Sequence, residues 1–328
     1  MPFILAACKP GQEVLRLSGQ TMGTTYSIVA INDAGGLSER EVSGAVDAAL
    51  REVDIKMSNW NPDSEVARFN AGTDMSPVSV SPELSGVLSV AEEVYRASDG
   101  RFDTTVGPLI ELWGFGAPGA TSLPSDNEVA DAMGRSGHSR VISVAPNYVQ
   151  KRQPEAQVYL AAIGKGYGTD HVGRALEALG LGNYMVEIGG EIYAAGTNPD
   201  GMPWQIGIEI PSDRNGGVYD VVGLSGLGLA SSGDYRNYFE VNGQRFSHVI
   251  DPVTGHPIMH KTASATVLAG NTMLADAWST AMLILGRDRG LEIADAHGIA
   301  VLFIDRGRGD ADTGFTSVSS RAFDELTA

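Results

Sequence analysis

The stretch Trp204-Gln205-Ile206-Gly207-Ile208-Glu209-Ile210 decides the fold class of this chain, because its large apolar residues stand at every second position. Such alternation predicts a strand with one buried face, as in an antiparallel meander. The surrounding region, from Tyr184 to Phe246, is rich in alternating or β-branched runs. Turn residues are dense (41 Gly and 15 Pro) and the predicted strands are short. These features favour a mixed α+β fold over a regular βαβ repeat.

Helices are predicted on both sides of this region. Ser38-Glu39-Arg40-Glu41 and Ser125-Asp126-Asn127-Glu128 are capping boxes, and Ser81 followed by Pro82 opens another helix. The remaining predicted elements are strands at Thr24–Ile31, Val141–Val144, Thr262–Ala269 and Ile299–Ile304, and helices at about Gly168–Leu179, Met273–Leu285 and near Leu291. No repeat or linker separates these elements. We therefore expect antiparallel sheets and packed helices in two interleaved subdomains.

The bulk composition excludes one class of partner. The 328 residues are 43% hydrophobic, enough for a sizeable core, and the formal net charge is −17. A chain this acidic, without a run of Lys or Arg, repels a nucleic-acid backbone, so no nucleic-acid partner is expected. A site for a phosphorylated ligand would need a cation to offset nearby carboxylates.

The N-terminal segment carries the single cysteine, so an internal disulfide and a thiolate metal site are excluded. Leu5-Ala6-Ala7-Cys8 ends an apolar run and resembles the sequence cleaved before a lipidated cysteine. The alternative is an ordinary N-terminal cysteine. We expect residues 1–17 to be a signal remnant and tether, and residues 18–328 to form the functional domain. The predicted location is the periplasm, with a lipid on Cys8 anchoring the protein to the inner membrane.

Two segments suggest a site for a cation and a phosphate. Asp276 and Thr280 lie four residues apart on a predicted helix, so both oxygens leave one face, and such ligands favour Mg²⁺ or Ca²⁺ over Zn²⁺. Taken alone, the pair is better explained by a helix acid favoured by the dipole and a back-bonded threonine than by a metal site. Lys165 stands between glycines where an apolar strand is expected to enter a helix. Such a turn could bind a phosphate through its amides and the ammonium, or Lys165 could be an ordinary solvated lysine of a turn.

Two further segments have open interpretations. Gly189-Gly190 interrupts a strand, which indicates either close approach of a ligand or a bulge. His248 is the best general-base candidate among six histidines, with Asp251 nearby in sequence. A lone histidine is more often structural.

In their order, these segments closely resemble the FAD:protein FMN transferase family, also called the ApbE or thiamine-biosynthesis lipoprotein family. The resemblance runs from Thr21 to Gly286. It also rests on Thr21-Met22-Gly23-Thr24-Thr25-Tyr26, Ser58-Asn59-Trp60, Asp63-Ser64-Glu65 with Asn70, Phe102-Asp103-Thr104-Thr105-Val106-Gly107-Pro108-Leu109, Trp113-Gly114-Phe115 and Ser232-Gly233-Asp234-Tyr235-Arg236-Asn237.

The resemblance implies roles for individual residues. FAD-binding positions would be Met22, Asn59, Trp60, Asn61, Asp103, Lys165 and Ile250. Mg²⁺ would be held by the Ala162 carbonyl, the Asp276 carboxylate and the Thr280 hydroxyl. Catalytic roles would fall to His248, Asp251 and Asp276. The chain departs from the family pattern at Tyr159, Gly164 and Val253, where Asp, Ala and Arg are common.

The implied activity is a Mg²⁺-dependent transfer of FMN from FAD, as substrate, to a Thr or Ser of another protein, with release of AMP. Acceptors would be exported subunits of redox complexes, such as the sodium-pumping NADH:quinone reductase or Rnf-type complexes. Two alternatives remain open from sequence. One is an FAD pyrophosphatase that yields FMN and AMP, and the other is a non-catalytic flavin-binding protein of the periplasm.

Overall fold

The core of the structure, a computed structural model, is an eight-stranded antiparallel sheet. The structure describes residues 13–33, 35–115, 123–212, 216–235, 237–241, 244–307 and 314–328. In spatial order the strands are β1 (Glu13–Thr21), β2 (Thr24–Asn32), β6 (Tyr184–Ile188), β7 (Glu191–Ala195), β10 (Leu227–Gly233), β15 (Thr262–Ala269), β16 (Ala300–Arg306) and β17 (Phe315–Ser319).

Four smaller antiparallel sheets surround this one. They are β3 (Val78–Ser79) with β5 (Tyr148–Lys151) and β4 (Ile142–Ala145), the ribbon of β8 (Trp204–Glu209) and β9 (Val218–Leu224), the hairpin of β11 (Tyr238–Val241) and β12 (Gln244–Ser247), and the pair β13 (Ile250–Asp251) and β14 (His256–Pro257). The helices are α1 (Glu39–Met57), α2 (Glu65–Ala71), α3 (Pro82–Ala97), α4 (Gly107–Leu112), α5 (Asp126–Gly134), α6 (His138–Val141), α7 (Gly164–Ala178), α8 (Thr272–His297) and α9 (Arg321–Thr327).

The two faces of the main sheet bury different layers. Along β10, Ala230 packs in the core that includes α8, whereas Leu229 packs in the core shared with β8 and β9. This alternation follows from the two-residue period of a strand. The sheet therefore lies between a helical layer and the β8–β9 ribbon.

The predicted α+β fold with antiparallel sheets and packed helices is confirmed, and so are both capping boxes and the Ser81 cap. The strand predicted at Thr262–Ala269 has the same bounds in the structure. The two helices predicted after Met273 form one continuous stretch, α8, which Gly286 interrupts with a φ of 71°. That conformation is open to glycine and strained for other residues.

The start of α7 was predicted wrongly, and Val141, expected to begin a strand, ends α6 instead. The helix expected from about Gly168 begins at Gly164, and residues 161–163 form a turn instead of the expected strand. Glycine has low helix propensity, so the local sequence does not mark this start. Lys165 therefore lies in the first turn of α7.

The N-terminal predictions are only partly covered by the structure. Residues 13–17, assigned to the tether from sequence, are part of β1, and Cys8 lies outside the described residues, as does Arg236. The boundary after residue 17 stays a prediction. No helix among the described residues has the length and apolar character needed to cross a bilayer.

Candidate active site

A cavity of 690 Å³ lies at the hairpin tip where β7 begins, between α7, α8 and the ends of β10 and β15. Gly189 and Gly190 form that tip, with φ angles of 63° and 104°, so the glycine pair is a tight turn. Seven residues predicted from sequence line the cavity: Asp103, Ala162, Lys165, His248, Ile250, Asp276 and Thr280. The fold thus gathers residues that span most of the chain.

Asp276 is positioned by direct contact between α7 and α8. The Gly166 amide donates a hydrogen bond to Asp276 Oδ2 at 2.9 Å. A β-carbon on Gly166 would lie 2.4 Å from the Thr272 carbonyl oxygen, so only glycine permits this approach. Asp170 also joins the two helices, because its carboxylate accepts the amides of Thr272 and Met273 at 2.8 and 2.9 Å. These amides belong to the first turn of α8, where orphan N–H groups need acceptors.

The electrostatic centre of the cavity is a cluster of two carboxylates and one ammonium. Lys165 Nζ forms an ion pair with Glu191 Oε1. Burial and the charge of Asp276 raise the pKa of Glu191 to about 8, against the lowering effect of Lys165. Burial likewise raises the pKa of Asp276, against the effects of Lys165 and the Gly166 amide. The cluster is therefore short of positive charge.

The residues present fit a hard divalent cation. Glu191 Oε2 is buried without a hydrogen-bond partner among the described residues, and a carboxylate oxygen is a preferred ligand of Mg²⁺. Thr280 Oγ1 lies 3.1 Å from Ser232 Oγ; if the threonine donates that bond, its lone pairs stay available to a cation. No group of three or more His, Cys, Asp or Glu side chains among the described residues forms a metal cluster. A cation here would depend on few carboxylates, supplemented by hydroxyl, carbonyl and ligand oxygens.

His248 is held as a neutral imidazole with one nitrogen to spare. Its Nδ1 lies 2.9 Å from the Asn237 carbonyl oxygen, which only accepts, so Nδ1 carries the hydrogen. Burial lowers the pKa of His248 below its ordinary value. The neutral ring then keeps a lone pair on Nε2, as a general base requires.

Asp251 was expected to work beside His248, but its contacts lie elsewhere. The Asp251 carboxylate accepts the Val253 amide at 2.9 Å and lies 3.4 Å from Arg101 Nη1. Asp251 is not among the residues that line the cavity, whereas Arg101 is. The proximity in sequence does not produce a His–Asp hydrogen bond, since His248 Nδ1 bonds to the Asn237 carbonyl and the Asp251 carboxylate contacts the Val253 amide and Arg101.

Asp103 lines the cavity but uses its carboxylate internally. Its oxygens accept the Thr105 amide and hydroxyl at 2.7 and 2.6 Å and the amides of Gly137 and His138 at 2.8 and 3.1 Å. Four donors saturate the carboxylate. Asp103 therefore fixes the wall between α4 and α6.

The other predicted FAD-binding residues are not among those lining the cavity. Asn59 pairs with the main chain at both ends of its amide, donating to the Val158 carbonyl at 2.6 Å and accepting the Leu160 amide at 3.0 Å. Trp60 is 89% exposed, and Asn61 donates to Asp54 Oδ2 at 2.6 Å. Met22, in the β1–β2 turn with a φ of 50°, packs against Gly168. Their predicted roles in FAD binding stay predictions.

Tyr159, the most prominent departure from the family pattern, is not among the residues that line the cavity. Its hydroxyl lies 3.0 Å from Glu111 Oε1 and 2.8 Å from Gln157 Oε1, and its ring covers Gly107. Burial, with the hydrogen bond to Glu111, raises the pKa of Tyr159 to about 12. The phenol therefore stays neutral. Its contacts attach the loop that precedes α7 to α4.

Sequence reasoning missed Glu191, Asp170 and Ser232 as parts of the site. Ser232 stood in a segment quoted for the family resemblance, and Glu191 directly follows Gly189-Gly190, but none of the three had an assigned role. An acidic residue directly after a glycine pair was an available signal for Glu191, since a tight turn brings the next side chain close to whatever approaches the turn. Asp170 and Ser232 gave no local signal.

The fold and the cavity define the class of site. It is an acidic, partly buried pocket whose residues suit a phosphorylated ligand held through a hard cation and a lysine. The sequence matches the ApbE family over residues 22–303. It is 42% identical over 334 residues to the FAD:protein FMN transferase of Haemophilus influenzae, with 100% of this chain and 95% of the relative covered. The chain belongs to the ApbE family.

Solved structures of this family have the same fold. The flavin transferase ApbE from Vibrio cholerae has a TM-score of 0.86 and 39% identity, with 96% of this chain and 99% of that chain covered. The Pseudomonas stutzeri flavinyl transferase ApbE, in its apo form, has a TM-score of 0.86 and 38% identity, with 96% and 97% covered.

Proposed function

We propose that this protein is a Mg²⁺-dependent flavin transferase, which cleaves FAD and attaches FMN through a phosphoester to a Thr or Ser of another protein. The observation that carries the proposal is the cluster of buried Asp276 and Glu191 with half-buried Lys165 in a 690 Å³ cavity. The relatives named FAD:protein FMN transferase supply the substrate class.

The charges of the cluster support binding of a metal–pyrophosphate unit. With both carboxylates ionised, the cluster would carry a net negative charge and repel the pyrophosphate of FAD, so a bound cation is needed to hold the two together. Asp276, Thr280 and the Ala162 carbonyl are the proposed Mg²⁺ ligands, and bound Mg²⁺ would neutralise charge on the phosphoryl oxygens. Lys165, in the first turn of α7, would contact the same oxygens, where a helix N-terminus also favours anions.

His248 is the proposed general base. Its Nε2 would accept the proton of the acceptor hydroxyl while the hydroxyl oxygen bonds to the FMN-side phosphorus. The bridging P–O bond of the pyrophosphate then breaks, and AMP leaves with the bond electrons. The hydrogen bond from Nδ1 to the Asn237 carbonyl would hold the ring in the required tautomer and stabilise the imidazolium.

The acceptors and location follow from the family resemblance and the N-terminal sequence. We propose exported subunits of redox complexes, of the sodium-pumping NADH:quinone reductase or Rnf type, as acceptors. The enzyme would act in the periplasm, anchored to the inner membrane by a lipid on Cys8. Mass spectrometry of Cys8 in protein expressed from the full reading frame tests the anchor, and an unmodified cysteine would refute it.

The activity is tested by incubating the protein with FAD, Mg²⁺ and a purified acceptor subunit, followed by in-gel flavin fluorescence and quantification of AMP. A fluorescent acceptor with an equal amount of AMP supports the transferase. AMP without a labelled acceptor indicates an FAD pyrophosphatase, and FAD binding without AMP indicates a flavin-binding protein.

A further inference from the structure

The main sheet has an unpaired edge inside the cavity. β7 pairs with β10 only at Leu227, Gly228 and Leu229, because β7 begins at the hairpin tip. β10 continues to Gly233 and keeps β15 on its other side. No described strand pairs with residues 231–233 on the side away from β15. Gly189 and Gly190 at the tip, and residues 231–233, all line the cavity.

The register determines which main-chain groups point into this gap. The Asp234 amide donates to the Ala263 carbonyl at 3.1 Å, so the even-numbered residues of β10 bond to β15. Main-chain groups of an antiparallel strand alternate between its two neighbours. The N–H and C=O of Ser231 and Gly233 therefore point to the open side. Such a row of main-chain groups is a template for another strand.

The cavity also has a polar wall on the face of the sheet opposite the carboxylate cluster. Ser232 faces α8 and hydrogen-bonds Ser279, whereas Ser231 faces the β8 side and lies 2.7 Å from Thr266 Oγ1. Ser264, beside Thr266 on β15, is only 4% exposed, and its hydroxyl has no partner among the described residues. A buried hydroxyl without a partner is costly, so this wall indicates a polar occupant.

We propose that the acceptor protein binds as an added β-strand on the edge formed by Ser231, Ser232 and Gly233, and that a side chain on its face away from α8 reaches across Gly233 to Ser264 on β15. The inference rests on the proposed function, which requires a protein acceptor. Ser232 Oγ is 3.1 Å from Thr280 Oγ1, so a strand on this edge brings its own hydroxyl beside the proposed Mg²⁺ ligand. The edge lies in the plane of the sheet beside the hairpin tip, so the acceptor strand would lie next to the Lys165–Glu191 pair while FAD occupies the α8 side.

Strand addition suits a protein acceptor because main-chain hydrogen bonds supply affinity whatever the side chains are. The reactive hydroxyl is the one side chain that must point toward the cluster. Its neighbours, one position away, point to the other face, since successive side chains alternate.

The test uses a synthetic peptide of about nine residues, taken from an acceptor subunit around its flavinylated threonine, long enough for a strand rising ~3.3 Å per residue. Each main-chain nitrogen is methylated in turn, and flavin transfer is measured by mass spectrometry. We expect kcat/KM to fall about tenfold or more at alternate positions near the threonine, where a bonded N–H is lost, and to change little between them.

The enzyme-side variant is Ser264→Ala. It removes a hydroxyl with no partner in the free protein, so the melting temperature should not fall, while KM for the unmethylated peptide should rise several-fold. Ser89→Ala, which removes a hydroxyl bonded within α3, is the matched control and should leave KM unchanged. Titration with FAD, followed by flavin fluorescence, should give the same Kd for Ser264→Ala as for the unsubstituted protein.

Three outcomes separate the possibilities. Methylation effects without alternation, or uniform tolerance, would overturn strand addition while leaving the transferase proposal intact. An unchanged KM for Ser264→Ala would refute the role of the hydroxyl wall. No transfer to either the unmethylated peptide or the whole acceptor subunit would overturn the proposed function together with this inference.

Discussion

Replacing Gly166 with alanine should damage the site through backbone contact alone. The added methyl group would lie 2.4 Å from the Thr272 carbonyl oxygen and 2.8 Å from Asp276 Cβ. Ordinary contact begins near 3.4 Å, so α7 and α8 must separate by about 1 Å. The closest atoms belong to the backbone of α8 and to the root of Asp276, so no side-chain rotation relieves the clash.

Two consequences follow from that separation. Overpacking of this kind costs about 1–3 kcal/mol in the free energy of unfolding. The 2.9 Å hydrogen bond from the Gly166 amide to Asp276 would also lengthen, displacing the carboxylate. A misplacement of about 1 Å near reacting groups can lower the rate on the order of 100-fold. We therefore expect Gly166→Ala to lose both stability and turnover.

The assays are urea denaturation and release of AMP from FAD with Mg²⁺ and acceptor. Gly164→Ala is the matched control, because a methyl group there would make only ordinary contact, 3.6 Å from Leu160 Cβ. In that control we expect normal turnover and stability equal to or about 0.5–1 kcal/mol above that of the unsubstituted protein, from helix propensity. Normal turnover and stability in Gly166→Ala, or equal damage in both variants, would refute the reasoning.

Three further predictions concern single side chains. Asp276→Asn should lower AMP release by about 100-fold or more, since a proposed cation ligand loses its charge; chelation by EDTA should do the same to the unsubstituted protein, and full activity in either case contradicts the site. Because burial lowers the pKa of His248, its active neutral form persists to lower pH. The apparent pKa of the acid limb in the pH profile of kcat/KM should therefore lie below 6.5, the ordinary value for histidine. That limb should disappear in His248→Gln, and an unchanged profile there would exclude His248 as the base. Lys151, 2% exposed, donates to the carbonyls of Asn70, Gly72 and Pro154, so Lys151→Met should cost about 1–3 kcal/mol in urea denaturation while AMP release per folded molecule stays the same. Unchanged stability would contradict that structural role.

Part of the candidate site could be predicted from sequence because some geometry is local. Asp276 and Thr280 leave one face of α8 as their four-residue spacing requires, and both line the cavity. Lys165 and His248 line it too. By contrast, Asn59 and Trp60, whose roles came from the resemblance, are not among the lining residues.

The sequence by itself determined the elements whose signals act over a few residues. The Ser38 and Ser125 capping boxes, the Ser81 cap and the strand Thr262–Ala269 depend on hydrogen bonds or periodicity within one segment. These signals do not require knowledge of what packs against the segment.

Only the tertiary structure decided which side chains meet. Gly166 and Asp276 are 110 residues apart in sequence, and Glu191 reaches Lys165 only because the β6–β7 hairpin ends beside α7. Asp251 likewise contacts Arg101, which is distant in sequence, and not His248, which is three residues away. Such contacts depend on how helices and sheet pack, and on burial that shifts the pKa of each group, neither of which a short stretch of sequence encodes.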